Sequence, residues 1–330
     1  MAEIIRKAYQ GYKLLFMEWP DPRTKSWFLV AKPYQGAFIL GIYLMFVFKW
    51  GPAWMKKRQP FNLDKVLIVY NAIQVVLCAY IFVCAIRFGW GWDYKWICQP
   101  VDYSDTPKAI REASIVQLYY LTKILDLLDT VFFVLRKKFN QVSFLHVYHH
   151  TGMVVLIWAA ATYYPGGHGT LIGVINCFVH TVMYSYYLLT VAYPEKKNNL
   201  WWKKYITQLQ ILQFFLCVLH MTTIVFKPDC EYPRWISAVF LPQNLFMLIL
   251  FIDFYIKAYI KKPRLEAEKK AIEEKQKKSD LNGDAKPNGK VKENGFKNGI
   301  KKNGIQNGNK TLGHENGYHK NNINNGKKDV

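Results

Sequence analysis

The stretch VLIVYNAIQVVLCAYIFVCAI, residues 66–86, decides the fold: 21 consecutive residues without a charge. That is the length an α-helix needs to cross the hydrocarbon core of a bilayer, about 20 residues. Working outward, six further apolar runs lie at Tyr34–Phe48, Ser114–Leu135, Val142–Tyr163, Thr170–Ala192, Tyr205–Phe226 and Trp235–Ile260. The first is short, the run 114–135 carries Lys123, Asp126 and Asp129, and the run 142–163 carries three histidines, so hydropathy alone counts between five and seven spans. We expect an all-α polytopic membrane protein: an N-terminal luminal segment 1–33, a seven-helix transmembrane domain 34–262 and a disordered tail 263–330. The mean hydropathy of −0.04 averages a very apolar body and this polar tail.

The chain is strongly basic, with 44 Lys and Arg against 23 Asp and Glu for a net charge of +21. The charge is distributed by loop. Lys56, Lys57, Arg58 and Lys65 follow the first run; Arg136, Lys137 and Lys138 follow the third; Lys196, Lys197, Lys203 and Lys204 follow the fifth; Lys257, Lys261, Lys262 and Arg264 close the last. The intervening loops are balanced or uncharged. This alternation follows the positive-inside rule and puts the C-terminus in the cytosol. It accounts for most of the charge without a nucleic-acid partner. One misfit remains: the luminal N-terminal segment holds Arg6, Lys7, Lys13, Arg23, Lys25 and Lys32 against three acids.

The N-terminus has no uninterrupted apolar core and no small-residue cleavage site, so no cleavable signal peptide is expected. The tail is rich in Lys, Asn and Gly, with Asn-Gly repeated from Asn282-Gly283 onward. It cannot bury enough apolar area to offset its ordering entropy; a helical extension through Glu266–Lys278 is expected to precede it. Of the six cysteines, Cys78, Cys84, Cys177 and Cys217 fall within runs, while Cys98 and Cys230 fall in two loops assigned to the lumen, an oxidising compartment. A Cys98–Cys230 disulfide is expected.

Charged and imidazole groups at membrane depth are costly and face a bundle interior. Four runs each carry a polar stripe at helical spacing. His146, His149 and His150 sit at i, i+3 and i+4. Asn176, His180, Tyr184 and Tyr187 share a face of the next run. Lys123, Asp126 and Asp129 are three apart, with Thr130 adjacent. Thr207, Gln210 and Gln213 are three apart, with His220 beyond. For the glutamine stripe and His220, helix–helix hydrogen bonding in lipid is a sufficient reading. Four imidazoles on two successive helices ask for chemistry.

Two chemistries compete. His-x-x-His-His resembles a histidine box of metal-dependent membrane desaturases, but a diiron centre draws on more histidines than this body offers: of 8 in all, His314 and His319 lie in the tail and His168 in a turn. A single metal on His149, His150, His180 and Asp129 fits the spacing. The alternative is acid–base or nucleophilic catalysis by imidazole, with Asp129 orienting a ring. An apolar space between helices suits an acyl chain, and Lys137, Lys138, Lys203 and Lys204 at the cytosolic rim suit phosphates, although the positive-inside rule also explains those lysines. A non-enzymatic seven-helix lipid-binding or transport protein is the third class.

The motifs resemble those of the ELO-type very-long-chain fatty acid elongases, over residues 25–262. Gln141-Val-Ser-Phe-Leu-His146-Val-Tyr-His149-His150 is similar to that family's histidine box, and Asn176-Cys-Phe-Val-His180-Thr-Val-Met183-Tyr184-Ser-Tyr-Tyr187 to its second signature. Thr207-Gln-Leu-Gln210-Ile-Leu-Gln213 matches its T-x-x-Q-x-x-Q element. Lys123-Ile-Leu-Asp126-Leu-Leu-Asp129-Thr130 matches its K-x-x-E-x-x-D-T element, except that Asp126 stands where the family carries Glu. The tail is more like that of an insect member.

The resemblance implies an acyltransferase of the endoplasmic reticulum membrane, a 3-oxoacyl-CoA synthase that condenses acyl-CoA with malonyl-CoA and binds no cofactor. His149 is the expected nucleophile, with His180 and Asn176 as donors to the malonyl oxygen and His146, His150 and Asp129 in support; general-base catalysis by His149 is the other mechanism. Lys123, Asp126, Gln141, Tyr184, Tyr187, Thr207, Gln210, Gln213, Lys137, Lys138 and Lys204 are the expected substrate-binding residues. No G-x-G-x-x-G follows a strand, so a 3-ketoacyl-CoA reductase, a 3-hydroxyacyl-CoA dehydratase and an enoyl-CoA reductase must complete the cycle as partners. Homo-oligomers stay open.

Lys327 and Lys328 lie fourth and third from the C-terminus, the spacing of a dilysine retrieval signal. Changing both to Ser is expected to release the protein to later compartments; unchanged residence in fractionated cells would mean that the bundle itself retains it.

Overall fold

The computed structural model describes residues 1–195 and 202–281; Lys196, Lys197, Lys327 and Lys328 lie outside them. Among the described residues the chain is helical, without a strand. The compact unit runs Met1–Glu273. A short helix α1, Ala2–Lys13, precedes the first long segment, in which α2, Pro33–Met45, passes through a π-type turn into α3, Gly51–Met55. Then come α4, Asp64–Ala85; α5, Pro107–Leu135; α6, Phe144–Tyr163; α7, Thr170–Ala192; α8, Lys203–Val225; and α9, Arg234–Tyr255. The last described helix, α10, spans Lys262–Leu281 and includes the stretch Glu266–Lys278.

These make seven long helical segments. Six are long and apolar enough to cross a membrane. The exception is α5, whose inward face carries Lys123, Asp126 and Asp129. The outward faces are apolar: Phe38, Val69, Val76, Leu219 and Ile249 are all exposed. That is the reverse of a water-soluble bundle and suits lipid.

Local chemistry sets the helix starts. Pro33 and Pro107 occupy the first helical position, where the missing N–H costs nothing. Thr106 caps α5 by accepting from the Ala109 N–H at 3.3 Å, and Ser143 caps α6 by accepting from the His146 N–H at 3.2 Å. The second cap fixes the rotation of α6 just before its histidines.

Six helices form a ring in which α5 packs on α4 and α6, α4 on α7, α7 on α8, and α8 on α9. The α2–α3 segment stands outside, against α5 and α6. At the end opposite the basic loops, Cys98 and Cys230 are bonded, S–S 2.00 Å, joining the α4–α5 connection to the α8–α9 connection. Beside the bond, the rings of His168 and His220 stack at 3.7 Å, and each Nε2 lies within 3.2 Å of the other residue's carbonyl oxygen. His220 is therefore a structural partner of the loop, not part of the α5–α7 cluster.

The N-terminal basic residues have local partners that hydropathy patterning could not show. Lys7 pairs with Glu3, Lys13 with Glu18, and Arg23 with Asp21. The Arg23 guanidinium also donates to the carbonyls of Asp102 and Ser104 at 2.8 and 2.9 Å. Hydrogen bonding to Asp21 raises its pKa above the ordinary value. The segment is thereby tied to the α4–α5 connection, so part of its positive charge is spent on structure rather than on setting topology.

Removing the Cys98–Cys230 bond should cost about 2–5 kcal/mol. Cys98→Ser and Cys230→Ser should each lower the thermal unfolding midpoint in detergent, and unreduced digests of the native protein should contain the linked peptide pair. Free alkylation of both thiols without reduction would contradict the assignment.

Candidate active site

The polar groups of four ring helices meet at one depth. At the centre, the Lys123 ammonium lies 2.7 Å from Asp126 Oδ2, both side chains almost fully enclosed. Lys123 Nζ also donates to Asn176 Oδ1 at 3.1 Å and sits 3.5 Å from His180 Nδ1, and the same imidazole nitrogen is 3.7 Å from Asp126 Oδ2. The other carboxylate oxygen, Oδ1, accepts from Gln74 Nε2 at 2.6 Å and from the Tyr184 hydroxyl at 3.0 Å. The Tyr184 hydroxyl is also 2.7 Å from Asp129 Oδ2. A charge pair this deep persists only if its remaining hydrogen-bonding sites are filled, and here they are.

Asn176 Oδ1 accepts from the Tyr119 hydroxyl at 2.8 Å as well as from Lys123, and its Nδ2 donates one of its two N–H groups to Gln213 Oε1 at 3.4 Å. These contacts position Lys123. Of the two carboxylates that could orient an imidazole, Asp126 lies beside His180 Nδ1, and Asp129 Oδ2 accepts from the Tyr184 hydroxyl. The reason is geometric. Three residues advance a helix about 300°, and the 60° lag per step turns Asp129 from α7's His180 toward Tyr184.

The three histidines of α6 cluster at the edge of this network, their rings tilted or edge-on to one another. Ring centroids of His146 and His150 are 4.3 Å apart, and those of His149 and His150 are 5.6 Å apart. His146 Nε2 meets Thr130 Oγ1 at 3.0 Å, and Thr130 also bonds the Tyr43 hydroxyl at 2.8 Å. His149 packs edge-on against Phe214, and its Nδ1 is enclosed without a hydrogen-bond partner.

The remaining expected residues are dispersed. Gln210 meets the Met183 sulfur and Thr207 the Tyr259 hydroxyl, each at 3.5 Å. Tyr187 is exposed, its ring 6.0 Å from that of Tyr184. Gln141 is exposed in the turn before α6. Lys137 and Lys138 follow the end of α5, and Lys204 opens α8 with its ammonium over Tyr205; these stand at the basic end, apart from the cluster. Among the described residues, no three His, Cys, Asp or Glu side chains converge as a metal-ligand set.

Three members of the network went unrecognised in the sequence: Tyr70 and Gln74 of α4, and Tyr119 of α5. Gln74 is fully buried in the otherwise apolar span 66–86, and Tyr70 stands one turn before it. A glutamine in mid-span was the available signal. On the far side of Tyr119 lies a long apolar cavity, bounded by Ile81, Val116, Ile157, Gly173, Val174 and Phe240 and reaching Tyr94 and Glu112 at its end.

Residues 28–267 match the family described as ELO, the GNS1/SUR4 family. The chain belongs to that family. It is 39% identical over 297 residues to very long chain fatty acid elongase 7 of Drosophila melanogaster, covering 89% of this chain and 90% of that protein. It is 42% identical to very long chain fatty acid elongase 7 of Rattus norvegicus, covering 74% and 88%, and 40% identical to very long chain fatty acid elongase 4 of Homo sapiens, covering 76% and 80%.

The buried pair yields a stability test. Lys123→Met strands the Asp126 charge and should cost about 3–5 kcal/mol. The double variant Lys123→Met/Asp126→Asn should lose clearly less than the sum of the single losses, read from thermal unfolding of all four proteins. Additive losses would mean that the two groups do not depend on each other.

Proposed function

We propose that this chain is the condensing enzyme of fatty acid elongation: long-chain acyl-CoA and malonyl-CoA give a 3-oxoacyl-CoA two carbons longer, with release of CO2 and CoA. One observation carries the reading. The α6 histidines stand at the edge of a buried ionic cluster, and an apolar cavity lies on the far side of Tyr119. The family supports the same activity, since its relatives are named very long chain fatty acid elongases.

In this reading His149 Nε2 attacks the acyl thioester. The N–C bond forms as the C–S bond breaks, and CoA leaves as its thiol with the ring's proton. Malonyl-CoA then loses CO2, and its enolate carbon attacks the acyl-imidazole: the new C–C bond forms as the N–C bond breaks, and the freed ring takes up a proton from water to restore neutral His149. His180, with Nδ1 held against Lys123 and Asp126, presents Nε2 to the malonyl thioester oxygen, where negative charge develops. Lys123 keeps the centre electropositive and is held by Asn176 and Asp126. His146 and His150 support the His149 ring. Lys137, Lys138 and Lys204 at the basic end suit the CoA phosphates. The metal reading is the weaker one, because Asp129, the carboxylate of its ligand set, accepts from the Tyr184 hydroxyl at 2.7 Å.

The same reading places the protein in the endoplasmic reticulum membrane, N-terminus luminal and C-terminus cytosolic. The reductases and dehydratase of the elongation cycle take its product.

His149→Ala and His180→Ala should each reduce malonyl-CoA-dependent condensation by at least 10³-fold while the protein still inserts and unfolds cooperatively; near-native turnover in either would overturn the assignment. Acyl-CoA alone should release one equivalent of CoA in a burst. CoA appearing only with both substrates would favour direct condensation with His149 as base. Stringent chelation should leave turnover unchanged, and loss restored by added metal would favour the metal reading.

A further inference from the structure

The ring of helices has one seam unlike the others. The pairs α4–α7, α7–α8, α8–α9, α4–α5 and α5–α6 pack closely along their backbones, whereas α6 and α9 meet through side chains. The Tyr148 hydroxyl donates to Gln243 Oε1 at 2.6 Å, its ring lies edge-on to Phe246 at 5.3 Å, and the Tyr164 and Trp235 rings meet at 5.3 Å nearer the disulfide end. Both walls are weak at the same depth. On α6, Gly152 has no side chain, and a Cβ built there would meet Gln243 Nε2 only at 3.9 Å. On α9, Pro242 interrupts the helix beside Gln243 and removes a backbone hydrogen bond, a common origin of helix bending.

On the outside of this seam runs an apolar groove lined by Phe48, Val147, Thr151, Gly152, Val155 and Gln243. On the inside lies the long apolar cavity. Leu156 borders both. The groove faces the side of the bundle that suits lipid, and it runs from the level of the α6 histidines to the depth where the cavity begins.

We propose that the seam between α6 and α9 is a lateral portal through which the acyl chain of the substrate or product passes between the bilayer and the cavity, with the Tyr148–Gln243 hydrogen bond as its latch. This rests on the proposed acyl-CoA condensation. A long chain leaving along the cavity axis toward the basic end draws each methylene past the ionic cluster into water, at a free-energy cost that grows with length. Sideways passage moves it from one apolar medium to another. The unbranched chain is thin enough to slip between two helices parted at Gly152 and Pro242, while the CoA head stays at the basic end throughout. Opening needs only the latch and local ring contacts to break, while the disulfide holds the α8–α9 connection at the far end.

The test locks the seam. In a Cys84→Ser background, Tyr148→Cys and Gln243→Cys are joined with a short bismaleimide, and the same variant capped with N-ethylmaleimide is the control. Turnover is measured with octanoyl-CoA and stearoyl-CoA. The expected result is at least a tenfold loss on stearoyl-CoA relative to the capped control, with a much smaller loss on octanoyl-CoA. Equal turnover of linked and capped protein on stearoyl-CoA, or an equal loss on both substrates, would overturn the portal. As a second measurement on the unmodified protein, a stearoyl-CoA with a mid-chain diazirine should label residues 148–155 of α6 and 243–246 of α9. Labelling confined to the cavity lining would count against the portal. Absence of malonyl-CoA-dependent turnover in the unmodified protein would instead sink the condensation reading itself.

Discussion

The Lys123–Asp126 ion pair is the constraint around which the bundle is arranged. Opposite charges three residues apart on one helix are ordinary at a surface, where they contribute little. At this depth, each must be surrounded by polar partners or the helix would not stay inserted. α5 cannot supply them alone. Gln74 comes from α4, Asn176, His180 and Tyr184 from α7, and Gln213 reaches in from α8 through Asn176. The pair thus dictates which helices must be neighbours, and the α4–α7 and α4–α5 contacts follow from it.

The same constraint explains why the site is rigid where chemistry needs rigidity. His180 is held on one nitrogen by a fixed ammonium and carboxylate, so its other nitrogen has a set direction. The α6 histidines are placed differently: the Ser143 cap and the Thr130 contact fix the helix and one ring, while His149 has no partner on Nδ1. One imidazole is held by two charged groups, and its neighbour has no hydrogen bond on Nδ1.

Much of this was legible in the sequence. The seven long helices, the charge alternation and the loop cysteines follow from patterns that period and position record. The stripes on α5, α6 and α7 followed from helical spacing. What spacing cannot record is which stripe faces which. Asp126 and Asp129 look alike along the chain, and only the rotation of α5 against α7 assigns the first to His180 and the second to Tyr184. Gln74 shows the same limit from the other side. It appeared as a lone polar residue in an apolar run, and its purpose depended on a carboxylate 52 residues away. Lys7, Lys13 and Arg23 pair with Glu3, Glu18 and Asp21, the three acids that the charge count of the segment already includes, so the pairs give these bases a structural role and the excess rests on Arg6, Lys25 and Lys32.

A bundle organised around one ionic centre has a consequence for its perimeter. The centre draws α4, α5, α7 and α8 together, and the disulfide ties the connections at the far end. Neither device acts on the α6–α9 contact at mid-depth. α6 offers the centre His146 through Thr130 of α5, and α9 is held by α8; nothing polar at the centre bridges the two. The ring is therefore closed most weakly at the place farthest from the ion pair, and there the sequence puts a glycine on one wall and a proline on the other. Strength concentrated at the reacting groups leaves compliance on the opposite side, which is where an enzyme handling long apolar chains has use for it.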